Sequence, residues 1–205
     1  MSRTIEKTYK YDELSDEAKW EAREWFMRGY PEYDWWYSTY ETIDTLARVI
    51  GIACDKDKSS PAFFFDLDRG SYFSFSGMYS YDKGWKQEAV RVFGDVFNLD
   101  RKDDIACFIR EYATFCNEVQ RPNFYGVQAR ISVSHYGGGR VGVNVDVGGD
   151  VSDALQASVE TFIGSFCETA LSLLQAEYDY LLSEENVEEN IRANEYEFTE
   201  DGKPA

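Results

Sequence analysis

Apolar positions along the chain change period several times, and each change marks an element. Residues 4–11 alternate and predict a short strand. The stretch DELSDEAKWEAREWFMRG then repeats at helical spacing, with Leu14, Ala18, Ala22, Trp25 and Phe26 on one face. Ser15 is placed to cap this helix, Asp16 and Glu17 suit its first turn, and Gly29 suits its end. After Pro31 a second helix is predicted over residues 34–50, carrying Trp36, Tyr40, Ile43, Ala47 and Ile50 on one stripe with Gly51 behind it.

Beyond Gly51 the period falls to two. Residues 62–67 and 71–81 form two aromatic alternating runs, separated by the turn residues Asp68, Arg69 and Gly70. Phe63, Phe65 and Leu67 share a face in the first run, and Phe73 and Phe75 share one in the second. Helices are predicted over 85–93 and 100–120, the second capped by Asp100. A second hairpin follows: Val127, Ala129, Ile131 and Val133 alternate, Gly137 to Gly139 turn, and Val141, Val143, Val145 and Val147 return. From Val151 a helical repeat runs through Leu155, Val159, Phe162, Phe166, Ala170 and Leu173 almost to Ser183, and a short helix over 184–194 precedes a polar end.

Paired hairpins without βαβ crossovers predict an α+β fold. It is an antiparallel sheet built from two hairpins plus an N-terminal strand, packed against several helices that include a long C-terminal helix. No linker composition divides the chain, so it reads as a single domain over 1–205 with an acidic helical part at 150–195 and a flexible end at 199–205.

Aromatic content of 17% is far above that of a disordered chain, although 29% of residues are charged. The four cysteines, Cys54, Cys107, Cys116 and Cys167, form no CxxC pair, and His135 is the one histidine. Reduced, mostly buried thiols are expected, and neither a metal nor any other cofactor. Residues 1–17 contain no apolar h-region, and no apolar run approaches the roughly 20 residues that cross a bilayer. No signal peptide and no membrane association are expected, and a bacterial cytoplasm is the expected compartment.

Net charge is −17, and its placement changes the picture more than its total. Residues 1–140 carry 23 acids and 19 bases, whereas residues 141–205 carry 15 acids with only Arg192 and Lys203 against them. Such a field repels nucleic acid and membrane surfaces and attracts basic protein surfaces. Direct nucleic-acid binding is therefore not expected.

The catalytic candidates are thin. His135 lies on a predicted strand, and its neighbours Ser134 and Tyr136 point to the opposite face. Asp55, Asp57, Ser59 and Asp66 echo a calcium loop but lack its glycine, and Pro61 interrupts them. Asp66 and Asp68 share a strand face, as a solvated hairpin mouth would have them. Gly137 to Arg140 is followed by neither a Lys-Ser/Thr pair nor a helix, so it reads as a turn and not a phosphate cradle. No catalytic residue is assigned, and a non-enzymatic role is expected.

Two features point instead to a partner. Glu177, Asp179, Glu184, Glu185, Glu188, Glu189 and Glu195 crowd the C-terminal helices, four of them at i,i+4 spacing on what reads as one face. Two readings stay open for them: a solubilising surface, or carboxylates that imitate nucleic-acid phosphates in a basic groove. Trp35 and Trp36 lie in an acidic stretch unsuited to stacking bases, and are candidates for aromatic anchors to a protein.

The stretches YKYDELSDEAKWEAREWF, DWWYSTYETI, YFSFSGMYSYDKGWKQEA and YDYLLSEENVEENIRANEYEFTEDGK occur in that order. Together they resemble a family of uncharacterised bacteriophage and prophage proteins, some of which carry an antitoxin-like label. The resemblance implies a phage or prophage origin and implies no reaction. With the charge pattern, it leads to an expected function: a phage-encoded acidic inhibitor of a host defence or nucleic-acid-processing complex, of the anti-CRISPR or anti-restriction type. It would act stoichiometrically, by occlusion or nucleic-acid mimicry, on a basic surface of a host protein or nucleoprotein complex. The alternative is an antitoxin-like protein that neutralises a cognate toxin.

Overall fold

A computed structural model describes residues 7–31, 34–55, 63–67, 71–119, 128–135, 141–147 and 152–205, and the statements below concern those residues. In chain order the elements are β1 (Tyr9–Lys10), a 3-10 turn (Tyr11–Glu13), α1 (Asp16–Arg28), α2 (Tyr37–Val49), β2 (Ile52–Cys54), β3 (Phe63–Asp66) and β4 (Tyr72–Ser80). Then come α3 (Trp85–Phe93), α4 (Asp104–Val119), β5 (Gln128–His135), β6 (Val141–Val147), α5 (Asp153–Leu181), α6 (Glu184–Ala193) and β7 (Glu197–Phe198). The fold is α+β with antiparallel pairing throughout. The turns expected at residues 68–70 and 137–139 lie outside the described residues.

The chain forms two compact units. The second, Ser38–Gln175, is organised around β4. One edge of β4 pairs with β5, which pairs in turn with β6. Its other edge takes two short strands end to end: β2 opposite Tyr79 to Gly77, and β3 opposite Phe75 to Tyr72. A side chain at Gly77 would place its Cβ 2.5 Å from the Ala53 carbonyl oxygen, so β2 seats there only against a glycine. Two- and three-residue strands have no period to read, which is why β2 was not expected from the sequence.

Alternation divides the sheet into two faces. Phe73, Phe75 and Tyr79 of β4, Ala129, Ile131 and Val133 of β5, and Val145 of β6 are buried. Helices α4 and α5 supply the opposing layer, with Phe108, Tyr112, Val159, Phe162, Ile163 and Phe166 buried. Phe166 meets Phe75 edge-on at 5.4 Å, and Phe162 meets Tyr79 at 5.1 Å. Two hydroxyls in this apolar interior satisfy one another: Tyr79 and Tyr112 share a hydrogen bond of 3.0 Å, and Tyr112 donates to the Ile50 carbonyl at 2.9 Å. Burial pushes both phenols well above their usual range, so both stay protonated and able to donate. At the start of α4 the cap is Asp103, not Asp100. Its carboxylate accepts from the Ala106 N–H at 3.1 Å and is held in place by Arg101.

The first unit, Met1–Tyr37 with Ala176–Ala205, joins the two ends of the chain. The N-terminal strand expected in the main sheet is present as β1, but it pairs with β7 in a two-stranded ladder of its own. Tyr11, Leu14, Ala18 and Ala22 from one end pack with Val187, Ile191 and Phe198 from the other. Ser15 and Ser183 cap α1 and α6, each accepting a backbone N–H at 3.3 Å. The segment read from composition as a flexible end is tied back. Thr199 N–H donates to Lys203 at 2.8 Å, and Ala205 N–H donates to Glu197 at 3.0 Å. Gly202, at φ +80°, lies so close to α1 that a Cβ would stand 2.1 Å from the Ala18 carbonyl oxygen.

Polar groups meet in the seam between α1 and α6. The Tyr11 hydroxyl donates to Glu188 Oε1 at 2.8 Å, Arg23 Nη1 donates to the same oxygen at 2.9 Å, and Arg192 Nη2 donates to Oε2 at 2.9 Å. Burial acts to raise the Glu188 carboxyl, but the Tyr11 hydrogen bond and the two guanidiniums outweigh it, so its pKa is lowered on balance. Tyr11, buried beside that carboxylate, is pushed up to about 12.

Two outcomes follow from these contacts. Tyr112→Phe, which leaves the Tyr79 hydroxyl and the Ile50 carbonyl short of a partner, is expected to lower unfolding stability by about 1–3 kcal/mol. The check is urea denaturation at unchanged m; a loss under about 0.5 kcal/mol would mean that the pair is dispensable. Glu188→Gln is expected to cost roughly 1–2 kcal/mol at neutral pH. A carboxyl whose folded pKa is depressed stabilises fully above its unfolded pKa, near 4.5, and loses that contribution as pH falls through the folded value. The difference between wild type and variant should therefore close below that pH. Parallel melts from pH 7 to 3 that never converge would refute the assignment.

Candidate functional site

Helix α6 divides the predicted acidic cluster in two. Residues four apart share a helical face, whereas adjacent residues diverge by about 100°. Glu184 and Glu188 face the seam with α1: Arg23 reaches Glu184 at 3.1 Å and Glu188 at 2.9 Å. Arg192 spans Glu188 at 2.9 Å and Asp12 at 2.8 Å. Glu185 and Glu189 remain exposed. The four carboxylates expected on one face are thus a pair held by arginines, with Glu188 partly buried and Glu184 exposed, and an outer pair facing solvent. Glu184 and Glu185 also lie in the first turn of α6, where the helix dipole favours negative charge.

The other predicted positions scatter. Glu177 is half-buried and Asp179 exposed near the end of α5. Glu195 is exposed and holds a left-handed backbone at φ 54°, unusual for a residue other than glycine or asparagine. Its amide donates to the Arg192 carbonyl at 3.0 Å, and its own carbonyl accepts from Lys10 Nζ at 2.8 Å. Trp35, expected as an exposed anchor, is buried. It lies 5.4 Å from the Tyr178 ring and meets the half-buried Trp36 edge-on at 5.8 Å. Its acidic neighbours in sequence hid that burial.

His135 sits in β5 opposite Val141. Asp55, the first position of the faint calcium loop, is taken by Arg130, with Nη1 at 3.2 Å from Oδ1 and Nη2 on Oδ2, and it also accepts from Ser76 at 2.8 Å. Residues 57, 59, 68 and 137–140 lie outside the described residues. Among the described residues no group of three or more His, Cys, Asp or Glu could hold a metal ion. None of the four cysteines is in a disulfide, and burial pushes Cys116 up to about 11 and Cys167 upward as well. Among the described residues no helix is long and apolar enough to cross a membrane.

Among the clefts that the described residues form, two with aromatic linings were not foreseen. One, of about 330 Å³ in the second unit, runs between α4 and α5 over Phe108, Tyr112, Phe115 and Phe162, with small hydroxyl side chains at its rim. The other, of about 530 Å³ in the first unit, is lined by Trp25, Phe26, Arg28, Tyr30, Asn190 and Tyr196, together with Gly29 and Asn194. In the sequence, Trp25 and Phe26 read as core and Tyr196 as part of a polar end. The left-handed turn at Glu195 redirects the chain from α6 toward β7, and with it Tyr196 comes to stand 5.2 Å from the Trp25 ring, edge to face. No residue type in the sequence signals that turn.

The two units also share the charge unequally. The first holds nineteen acids and eight bases, net −11, and the second nineteen acids and thirteen bases, net −6. The acidic region is therefore not the C-terminal third alone, because the fold adds Asp12, Glu13, Asp16, Glu17, Glu21 and Glu24 from the N-terminal end. No curated protein and no solved structure matches the chain. Residues 35–184 match the family described as Domain of unknown function (DUF8835), and since that segment is well over half of the chain, the protein belongs to this family.

Proposed function

We propose that this protein acts by stoichiometric binding. Its acidic first unit occupies a basic surface of a nucleic-acid-processing protein or nucleoprotein complex in a bacterial cytoplasm, by occlusion or by imitating phosphates. A phage-encoded inhibitor of a host defence complex is the role this suits. The observation that supports it is the concentration of charge, net −11 within one small unit. The outward carboxylates are regular: Glu17 and Glu21 on α1 are exposed at i,i+4 spacing, as are Glu185 and Glu189 on α6. Such pairs repel by a few tenths of a kcal/mol each and gain that back against a basic groove. Both helices lie almost wholly outside residues 35–184, so the proposed surface is carried on segments flanking the family region.

Glu184 and Glu188 are paired with Arg23 and Arg192, which makes them poor choices for a test because charge reversal there would set like charges together in the seam. The informative variant carries Glu17→Lys, Glu21→Lys, Glu185→Lys and Glu189→Lys, all at exposed positions. With the tagged protein as bait in host lysate, the captured partner should be a nucleic-acid-binding protein that free DNA or RNA displaces. The four-lysine variant should bind it at least about tenfold more weakly at low salt, the gap narrowing as salt rises. Wild type alone should show no binding to random-sequence DNA at physiological salt. Equal capture by the variant would refute the acidic surface. A partner that nucleic acid cannot displace would instead favour the antitoxin reading.

A further inference from the structure

The aromatic-lined cleft of the first unit has the parts of a small-molecule site. Its volume, about 530 Å³, lies within the range of ligand pockets, roughly 300–1,000 Å³. Two aromatic contacts form its walls: Trp25 against Tyr196 at 5.2 Å and 86°, and Phe26 against Tyr30 at 4.9 Å and 34°. Neither Trp25 nor Tyr196 is buried, and Tyr196 is 37% exposed, so ring surface of this pair remains available to a further ring. Asn190 and Asn194 each spend their amide N–H on a helix carbonyl at 2.8 Å, which leaves each Oδ1 as an acceptor.

Arg28 sets the charge this cleft accepts. Among the described residues of the unit, the other bases are all engaged. Lys10, Arg23, Arg192 and Lys203 pair with carboxylates, and Lys7 and Lys19 lie over the rings of Tyr9 and Tyr11. Arg28 is exposed on the cleft lining and makes no ion pair or side-chain hydrogen bond with any described residue, although acids outnumber bases by more than two to one around it. A guanidinium with no carboxylate partner among the described residues is a local donor for a carboxylate. The surrounding net charge of −11 acts the other way and repels ligands with several charges.

From these observations we propose that the cleft binds a planar aromatic ring carrying a single carboxylate, with the ring among Trp25, Phe26, Tyr30 and Tyr196 and the carboxylate on Arg28. A ring N–H would find its acceptor in Asn190 or Asn194. This site is independent of the partner proposed above. Its ligand chemistry has two sources, a free aryl carboxylic acid or the C-terminal aromatic residue of a peptide.

The test uses the full chain and three probes: indole-3-acetate, indole-3-acetamide, and a tripeptide ending in tryptophan with a free carboxylate. Calorimetry should show saturable binding of the acid with a Kd of about 1 mM or tighter. The uncharged amide should bind about tenfold more weakly, and Arg28→Gln should weaken the acid by a similar factor. Nuclear magnetic resonance should place the shifts at the Trp25 indole N–H and the Arg28 Nε–H. A tripeptide that binds tighter than the acid identifies a chain terminus as the source, and one that binds more weakly identifies a free molecule; either supports the site. No saturable binding by any probe, equal binding of acid and amide, or an unchanged affinity in Arg28→Gln would overturn it. The acid–amide comparison is made on wild type, so the result does not hang on how the variant folds.

Discussion

Glu188 carries a negative charge into the seam between the two ends of the chain, and three donors meet it there. The Glu188 side chain keeps 22% of its exposure, and withdrawing even part of a carboxylate from water is unfavourable unless it is paired and hydrogen-bonded. Tyr11, Arg23 and Arg192 meet that condition at 2.8–2.9 Å. Tyr11 and Arg23 come from the N-terminal end and Arg192 from α6 itself, so the contact forms only when both ends are in place. The apolar cluster of Leu14, Ala18, Ala22, Val187, Ile191 and Phe198 beside it provides the driving force. The polar triad fixes the register of one helix on the other.

That register decides which charges remain for a partner. With Glu184 and Glu188 turned to the arginines, Glu185 and Glu189 must face solvent, since a helix cannot present adjacent residues on one side. It also brings Glu17 and Glu21 into the same unit. The negative surface is thus a product of two chain ends whose acids are more than 150 residues apart. A linear reading of charge locates only the C-terminal part of it.

Elements with a long period or a distinct cap were legible. The valines of β6, the helical repeat of α5 and the serine cap at Ser15 all appear where the pattern puts them. What failed to show was short or tertiary. β2 and β7 are three and two residues long, and β1 found its partner at the other end of the chain. Asp100 and Asp103 are equivalent as caps by residue type, and Arg101 decides between them by bonding Asp103. For the site, residue types were legible and their company was not: Trp35 meets Tyr178 from α5, and Tyr196 reaches Trp25 through a left-handed Glu195.

The two proposed surfaces of the first unit rest on electrostatics of different range. A net charge acts over about a Debye length, roughly 8 Å at physiological salt, and is felt by any approaching macromolecule before contact. On the proposed function, such a field favours basic partners over polyanions. Arg28 acts only at contact, through oriented N–H donors, and its strength depends on the aromatic walls that exclude water around the bound group. A single carboxylate on a ring can satisfy it while adding little to the repulsion, whereas a nucleic-acid strand would meet the whole field. The acidity of the unit and the presence of an anion-binding arginine are therefore compatible, because the first restricts how much charge a ligand brings and the second where that charge must sit.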